Sequence, residues 1–120
     1  MSRTELPAWQ EDVPIYRQLM DVLIGNILDR TYVEGAMLPS VRQLASTFDV
    51  NPLTVAKVYK EFARDGFLEK LRGEGLLIRK GVREALLKRE RRKFLTEEWP
   101  ALRVRLNRLG LDLRSLPNED

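Results

Sequence analysis

Residues 49–62 read DVNPLTVAKVYKEF, an apolar rhythm at helical spacing with a proline set near its front. Asparagine is a strong helix N-cap, and proline is favoured at the first helical position, where its missing N–H is not needed. Asn51-Pro52 therefore starts a helix. Val55, Val58, Tyr59 and Phe62 then fall on one buried face, and Gly66, following Arg64-Asp65, is a stop signal. Leu53, Lys57, Lys60 and Arg64 recur at i, i+4, i+7 and i+11 on another face, with Thr54 beside them.

Upstream, LPSVRQLASTF places Ser40 three residues before Gln43, the capping-box pattern, ahead of a stripe of Val41, Leu44, Ala45 and Phe48. This short helix stops near Asp49, a residue type that tolerates the left-handed backbone of a tight turn. Before it, PIYRQLMDVLIGNILDR sets Tyr16, Leu19, Met20, Leu23, Ile27 and Leu28 at helical spacing behind Pro14, and Gly35 marks a turn. Downstream, FLEKLRGEGLLIRKG has two short apolar-rich runs around Arg72-Gly73-Glu74-Gly75, the signal of a β-hairpin. The expected fold is mainly α with a minor β component: three helices and a hairpin wing, a winged helix-turn-helix, followed by a helical tail. The expected division is a winged-helix domain over 1–80 and a helical dimerisation region over 81–120.

The inventory excludes several chemistries. The 120 residues contain no cysteine and no histidine, which removes disulfides, thiol nucleophiles, Cys/His zinc sites and Ser-His-Asp catalysis. Glu97 and Glu98 are adjacent on a helix and face different directions, so no paired acid and base emerges, and neither an enzyme nor a cofactor is expected. No apolar run approaches the ~20 residues of a membrane span, and the start of the chain has no apolar signal core. The expected location is the cytoplasm, with no membrane partner.

A net charge of +3 hides an uneven distribution. Residues 1–56 hold four Lys/Arg against seven Asp/Glu, whereas 57–80 hold seven against four and 81–120 ten against seven. The excess cations lie downstream of Ala56, which favours an anionic partner. In a helix-turn-helix the second helix enters the major groove and the first crosses the backbone. Lys57, Lys60 and Arg64 are then candidate phosphate contacts, Thr54 a contact to phosphate or base edge, and Leu53 a partner for a thymine methyl. Arg42, exposed in the first turn of the preceding helix, faces the backbone. Ser40 is chiefly a cap whose helix start is also open to a phosphate, and Arg72 at the hairpin tip can reach the minor groove or backbone.

In the tail, Leu95, Trp99, Leu102, Leu106 and Leu109 step by 4, 3, 4, 3, a heptad-like seam and the candidate dimer interface. Its other reading is packing onto the same subunit. Pro100 lies inside the pattern, so the helix either kinks there or breaks into two, and Asp112 can cap a further turn, LRSL.

Residues 14–78 resemble the N-terminal winged helix domain of GntR-type bacterial transcription regulators, through LPSVRQLA, VNPLTVAKVY, DGFLE and the RGEG wing. The short tail and Asn51-Pro52 look like the YtrA subfamily, which carries two C-terminal dimerisation helices in place of a large effector domain. The resemblance places Arg42, Thr54 and Gly73 on DNA-contact positions, with Asn51 and Leu53 beside them. The chain departs from the pattern at Pro52 and Ala56, where larger-domain subfamilies carry Arg, and at Asp49, where Gly is usual. It implies a sequence-specific regulator, a homodimeric repressor on an inverted-repeat operator in double-stranded DNA; the tail leaves little room for a ligand domain, so a small-molecule effector, of unidentified kind, is expected only between tail and winged helix or across the dimer. The alternative is a winged helix that serves only protein–protein contacts.

Overall fold

The computed structural model describes residues 9–73 and 75–117, which fall into two compact units divided at Leu86/Leu87. In the first, α1 spans Ile15–Leu28, α2 Val41–Phe48 and α3 Pro52–Arg64, and a hairpin pairs β1, Leu68–Leu71, with β2, Gly75–Ile78. The fold is the winged helix-turn-helix anticipated from the helical and strand spacing. α3 packs on both α1 and α2. Leu19, Leu23 and Ile27 of α1, Leu44 and Phe48 of α2, and Val55, Val58 and Phe62 of α3 share one core. Fully burying a side chain of this size contributes roughly 1.5–3 kcal/mol.

Local chemistry sets the helix ends. The Ser40 hydroxyl accepts from Gln43 N–H at 3.1 Å while Gln43 Oε1 accepts from Ser40 N–H at 2.9 Å, so the capping box closes in both directions. Asn51 Oδ1 accepts from Leu53 N–H at 2.9 Å, and Pro52 is the first residue of α3. Asp49 takes φ 53° and ψ 52°, the left-handed turn between α2 and α3.

The strands pair antiparallel from Leu68 with Ile78 to Leu71 with Gly75. One feature had no signal in the apolar pattern. The free edge of β2 is taken by residues 35–38: Leu38 N–H donates to Leu76 O at 2.8 Å, Ile78 N–H to Ala36 O at 3.0 Å, and Met37 bridges Leu77. A Cβ on Gly75 would stand 3.3 Å from Met37 Cε, and this glycine has φ 106°, so both space and backbone favour glycine there. Glu74 of the wing tip lies outside the described residues.

α4, Val82–Lys93, begins in this unit, with Val82 and Leu86 buried in the same core. Glu34 holds its start. The carboxylate accepts from Arg83 N–H at 2.9 Å and from the Gly81 backbone, and these bonds hold its pKa below the ordinary glutamate value. Arg83 Nε in turn donates to Leu28 O at 2.9 Å, at the end of α1.

In the second unit a π turn over Phe94–Glu98 leads into α5, Trp99–Arg108. The proline question is answered by this turn. In a regular α-helix the Pro100 ring would meet the carbonyl four residues back; here Trp99 N–H reaches Phe94 O instead, five residues back, and Pro100 falls in the first turn of α5. Thr96 Oγ1 donates to Arg92 O at 2.8 Å. Asp112 Oδ1 accepts from Arg114 and Ser115 N–H at 2.8 and 2.9 Å, capping the expected last turn.

Candidate nucleic-acid interface

α3 presents a sharply divided surface. Val55, Val58, Tyr59 and Phe62 are buried, whereas Leu53, Lys57, Lys60 and Arg64 are all exposed. At 3.6 residues per turn these four fall within an arc of about 60°, opposite the core. Leu53, at the leading end, is 77% exposed, the most open large apolar side chain among those described. An isolated leucine costs a monomer little in this position, but it offers a methyl-sized contact to anything that meets the N-terminus of α3.

The helix-turn-helix is held rigidly beneath this face. Tyr59 Oη donates to Pro39 O at 2.7 Å, tying α3 to the segment that leads into α2. Burial, with a smaller contribution from Tyr32, pushes the Tyr59 pKa far above the ordinary tyrosine value, so the phenol stays protonated and keeps donating.

The candidate contacts differ in freedom. Arg42 is exposed on α2, in a shallow groove with Gln43, Ser46 and Thr47. Ser40 and Asn51 spend an acceptor on capping; the amide NH2 of Asn51 is not used by that cap. Thr54 is half-buried at the edge of the exposed arc. Arg72 and Gly73 are exposed at the hairpin tip, where Gly73 takes φ 76°, a conformation that favours glycine.

Two contacts on α3 escaped the periodicity argument. Lys57 Nζ lies 4.5 Å from the centroid of the Tyr16 ring, so the start of α1 shelves this cation beside the exposed arc. The sequence spacing marks Tyr16 only as an apolar position of α1. Arg64 pairs with Glu61 one turn back, and that hydrogen bond raises its pKa. The three-residue spacing of acid and base could have signalled the pair. Lys60 is exposed, with no ion pair among the described residues.

The seam residues of the tail are all at the surface of their own unit. Trp99, Leu102 and Leu106 share one face of α5, Leu109 is its C-terminal cap, and Leu95 lies in the π turn before it. No residue of the π turn or of α5 is buried. Leu95 and Leu109 are each 58% exposed, and the Trp99 ring lies 6.5 Å from Phe94. No helix among the described residues is long and apolar enough to cross a membrane.

Comparison with known proteins follows the same segments. The chain is 33% identical over 107 residues to the HTH-type transcriptional repressor YtrA of Bacillus subtilis (strain 168), covering 89% of this chain and 82% of that protein. Its fold is similar to a GntR family transcriptional regulator from Listeria monocytogenes, with a TM-score of 0.71 and 30% identity over 88% of this chain and 91% of the other. It is also similar to YtrA from Sulfolobus acidocaldarius, a GntR-family transcription factor, with a TM-score of 0.54 and 26% identity over 92% of this chain and 99% of that one. The model of bacterial regulatory proteins of the gntR family matches residues 15–78, from the first residue of α1 to the last of β2 and over half of the chain. The chain belongs to the gntR family of bacterial regulatory proteins.

Proposed function

We propose that this DNA-binding transcriptional regulator acts as a homodimeric repressor on an inverted-repeat operator, in the cytoplasm, with α3 in the major groove and the hairpin at the flanking backbone or minor groove. The observation that carries the reading is the exposed arc of α3, with Leu53 at its leading end and Lys57, Lys60 and Arg64 behind it, opposite a fully buried face. Family membership favours DNA over the alternative of a winged helix that serves only protein contacts.

In this reading Asn51, Leu53 and Thr54 read bases, while Arg42, Lys57, Lys60, Arg64 and Arg72 neutralise phosphates, with Gly73 letting the wing backbone approach and Ser40 opening the α2 N-terminus to a phosphate. Arg64 must share its charge with Glu61, so its contribution is smaller than that of Lys60. One helix-turn-helix spans few base pairs, so two are needed for an operator. The apolar seam of the tail, with Leu95, Leu102 and Leu109 exposed and Trp99 and Leu106 half-buried in their own unit, supports self-association as the means. Domain roles then follow: the winged helix binds DNA, the tail dimerises, and a small-molecule effector acts on the first through the second or beside it.

Paired substitutions test the assignment by gel shift. Arg42→Ala should weaken binding to every DNA sequence by about tenfold and flatten the salt dependence, whereas Leu53→Ala should alter which bases are preferred. Equal loss from both variants, without a change of preference, would contradict base reading by the start of α3.

A further inference from the structure

A pocket of about 460 Å³ lies in the winged-helix unit away from α3, lined by the end of α1, the 30–34 turn and the 80–84 segment that starts α4. Its volume is in the range of small-molecule sites. Ile27, Val33 and Tyr32 supply apolar wall, and Arg30, Lys80 and Arg83 supply cations.

The pocket carries an excess of one cation: Arg30, Lys80 and Arg83 line it together with two carboxylates, Glu34 and Glu84, and Lys80 and Arg83 both act electrostatically on Glu34. Glu34 is engaged with the Arg83 and Gly81 backbone N–H groups, and Arg83 Nε with Leu28 O. Glu84 is exposed and lines the pocket as well. Neither Arg30 nor Lys80 forms an ion pair among the described residues. Arg30 also occupies a costly backbone position. It takes φ 63° directly after the last turn of α1, where glycine is the usual residue. The Arg30 side chain is exposed.

We propose that this pocket binds a small organic anion, a metabolite bearing a carboxylate or phosphate, with Arg30 and Lys80 as the anion-binding cations and Ile27, Val33 and the Tyr32 ring against its carbon skeleton. This deepens the effector part of the function above by giving it a site. The ligand would lie against Glu34 and Arg83, the two residues that fasten the first turn of α4, so occupancy would be felt at the start of the helix that leads out of the winged-helix unit.

Thermal melting of the full chain tests the site with four probes at matched ionic strength: inorganic phosphate, glucose 6-phosphate, citrate and neutral glucose. The proposal expects a saturable rise in Tm with at least one anion and none with glucose, the phosphate and carboxylate arms separating the two ligand chemistries. Arg30→Gly, which restores the residue suited to the left-handed backbone, should melt no lower than the wild type without ligand yet need at least about tenfold more of that anion for the same rise, as should Lys80→Ala. No anion-specific rise in the wild type, or equal responses in wild type and both variants, would overturn it. Operator binding by the wild type without ligand is measured separately: its absence would count against the regulator function, while the melting result stands or falls alone.

Discussion

Tyr59 shows how one residue links the core to the functional face. Its ring is in the core and its hydroxyl donates to Pro39 O, so the segment entering α2 is tied to α3, the candidate recognition helix. Tyr59→Phe leaves the Pro39 carbonyl without this donor and should cost roughly 1–2 kcal/mol, or several degrees in Tm. The pH dependence has a definite sign. Burial raises the Tyr59 pKa above that of an unfolded tyrosine, ~10, so the neutral phenol is favoured in the folded state. Its contribution is intact below that pH and is lost as the solution becomes more alkaline. Melting between pH 8 and 11 should therefore show a steeper alkaline fall for wild type than for Tyr59→Phe; parallel curves would contradict the buried phenol.

Among the elements, α5 differs most from the rest. α1, α2 and α3 each bury a face, whereas α5 buries no residue and exposes Leu102 and Val104, with Leu109 exposed at its C-terminal cap. If the seam is the dimer interface, Leu102→Glu should leave the winged helix folded while shifting sedimentation toward monomer and weakening operator binding by at least about tenfold. A folded variant that remains dimeric would place the interface elsewhere. α2 and α3 were legible in the sequence because their signals are local: a capping box at Ser40 and Gln43, Asn51-Pro52 at the next start, and Asp49 between them in the left-handed region. The π turn was not, because proline announces a conflict with the α-helix without saying whether the chain kinks, breaks or widens by one residue. The pairing of residues 35–38 with β2 and the hold of Glu34 on α4 join positions about 40 to 50 residues apart, which no periodicity records.

At the scale of the whole molecule, the winged helix-turn-helix was readable because helix caps, apolar stripes and a glycine-containing hairpin pointed to the same fold, and the family match over residues 15–78 agrees with them. The candidate DNA face was readable as a set of positions, Leu53, Lys57, Lys60 and Arg64, but not in its couplings. The Tyr16 ring under Lys57 and the Glu61 carboxylate beside Arg64 appear only once α1 and α3 are folded. The claim that unites α3, the wing and the tail is that two copies read one operator. Selection of bound fragments from a random pool of double-stranded DNA tests it most directly. The account predicts an enriched inverted repeat whose half-sites are centred about 10 base pairs apart or a multiple of that. Enrichment of no motif, or of a single half-site without its symmetry mate, would contradict it.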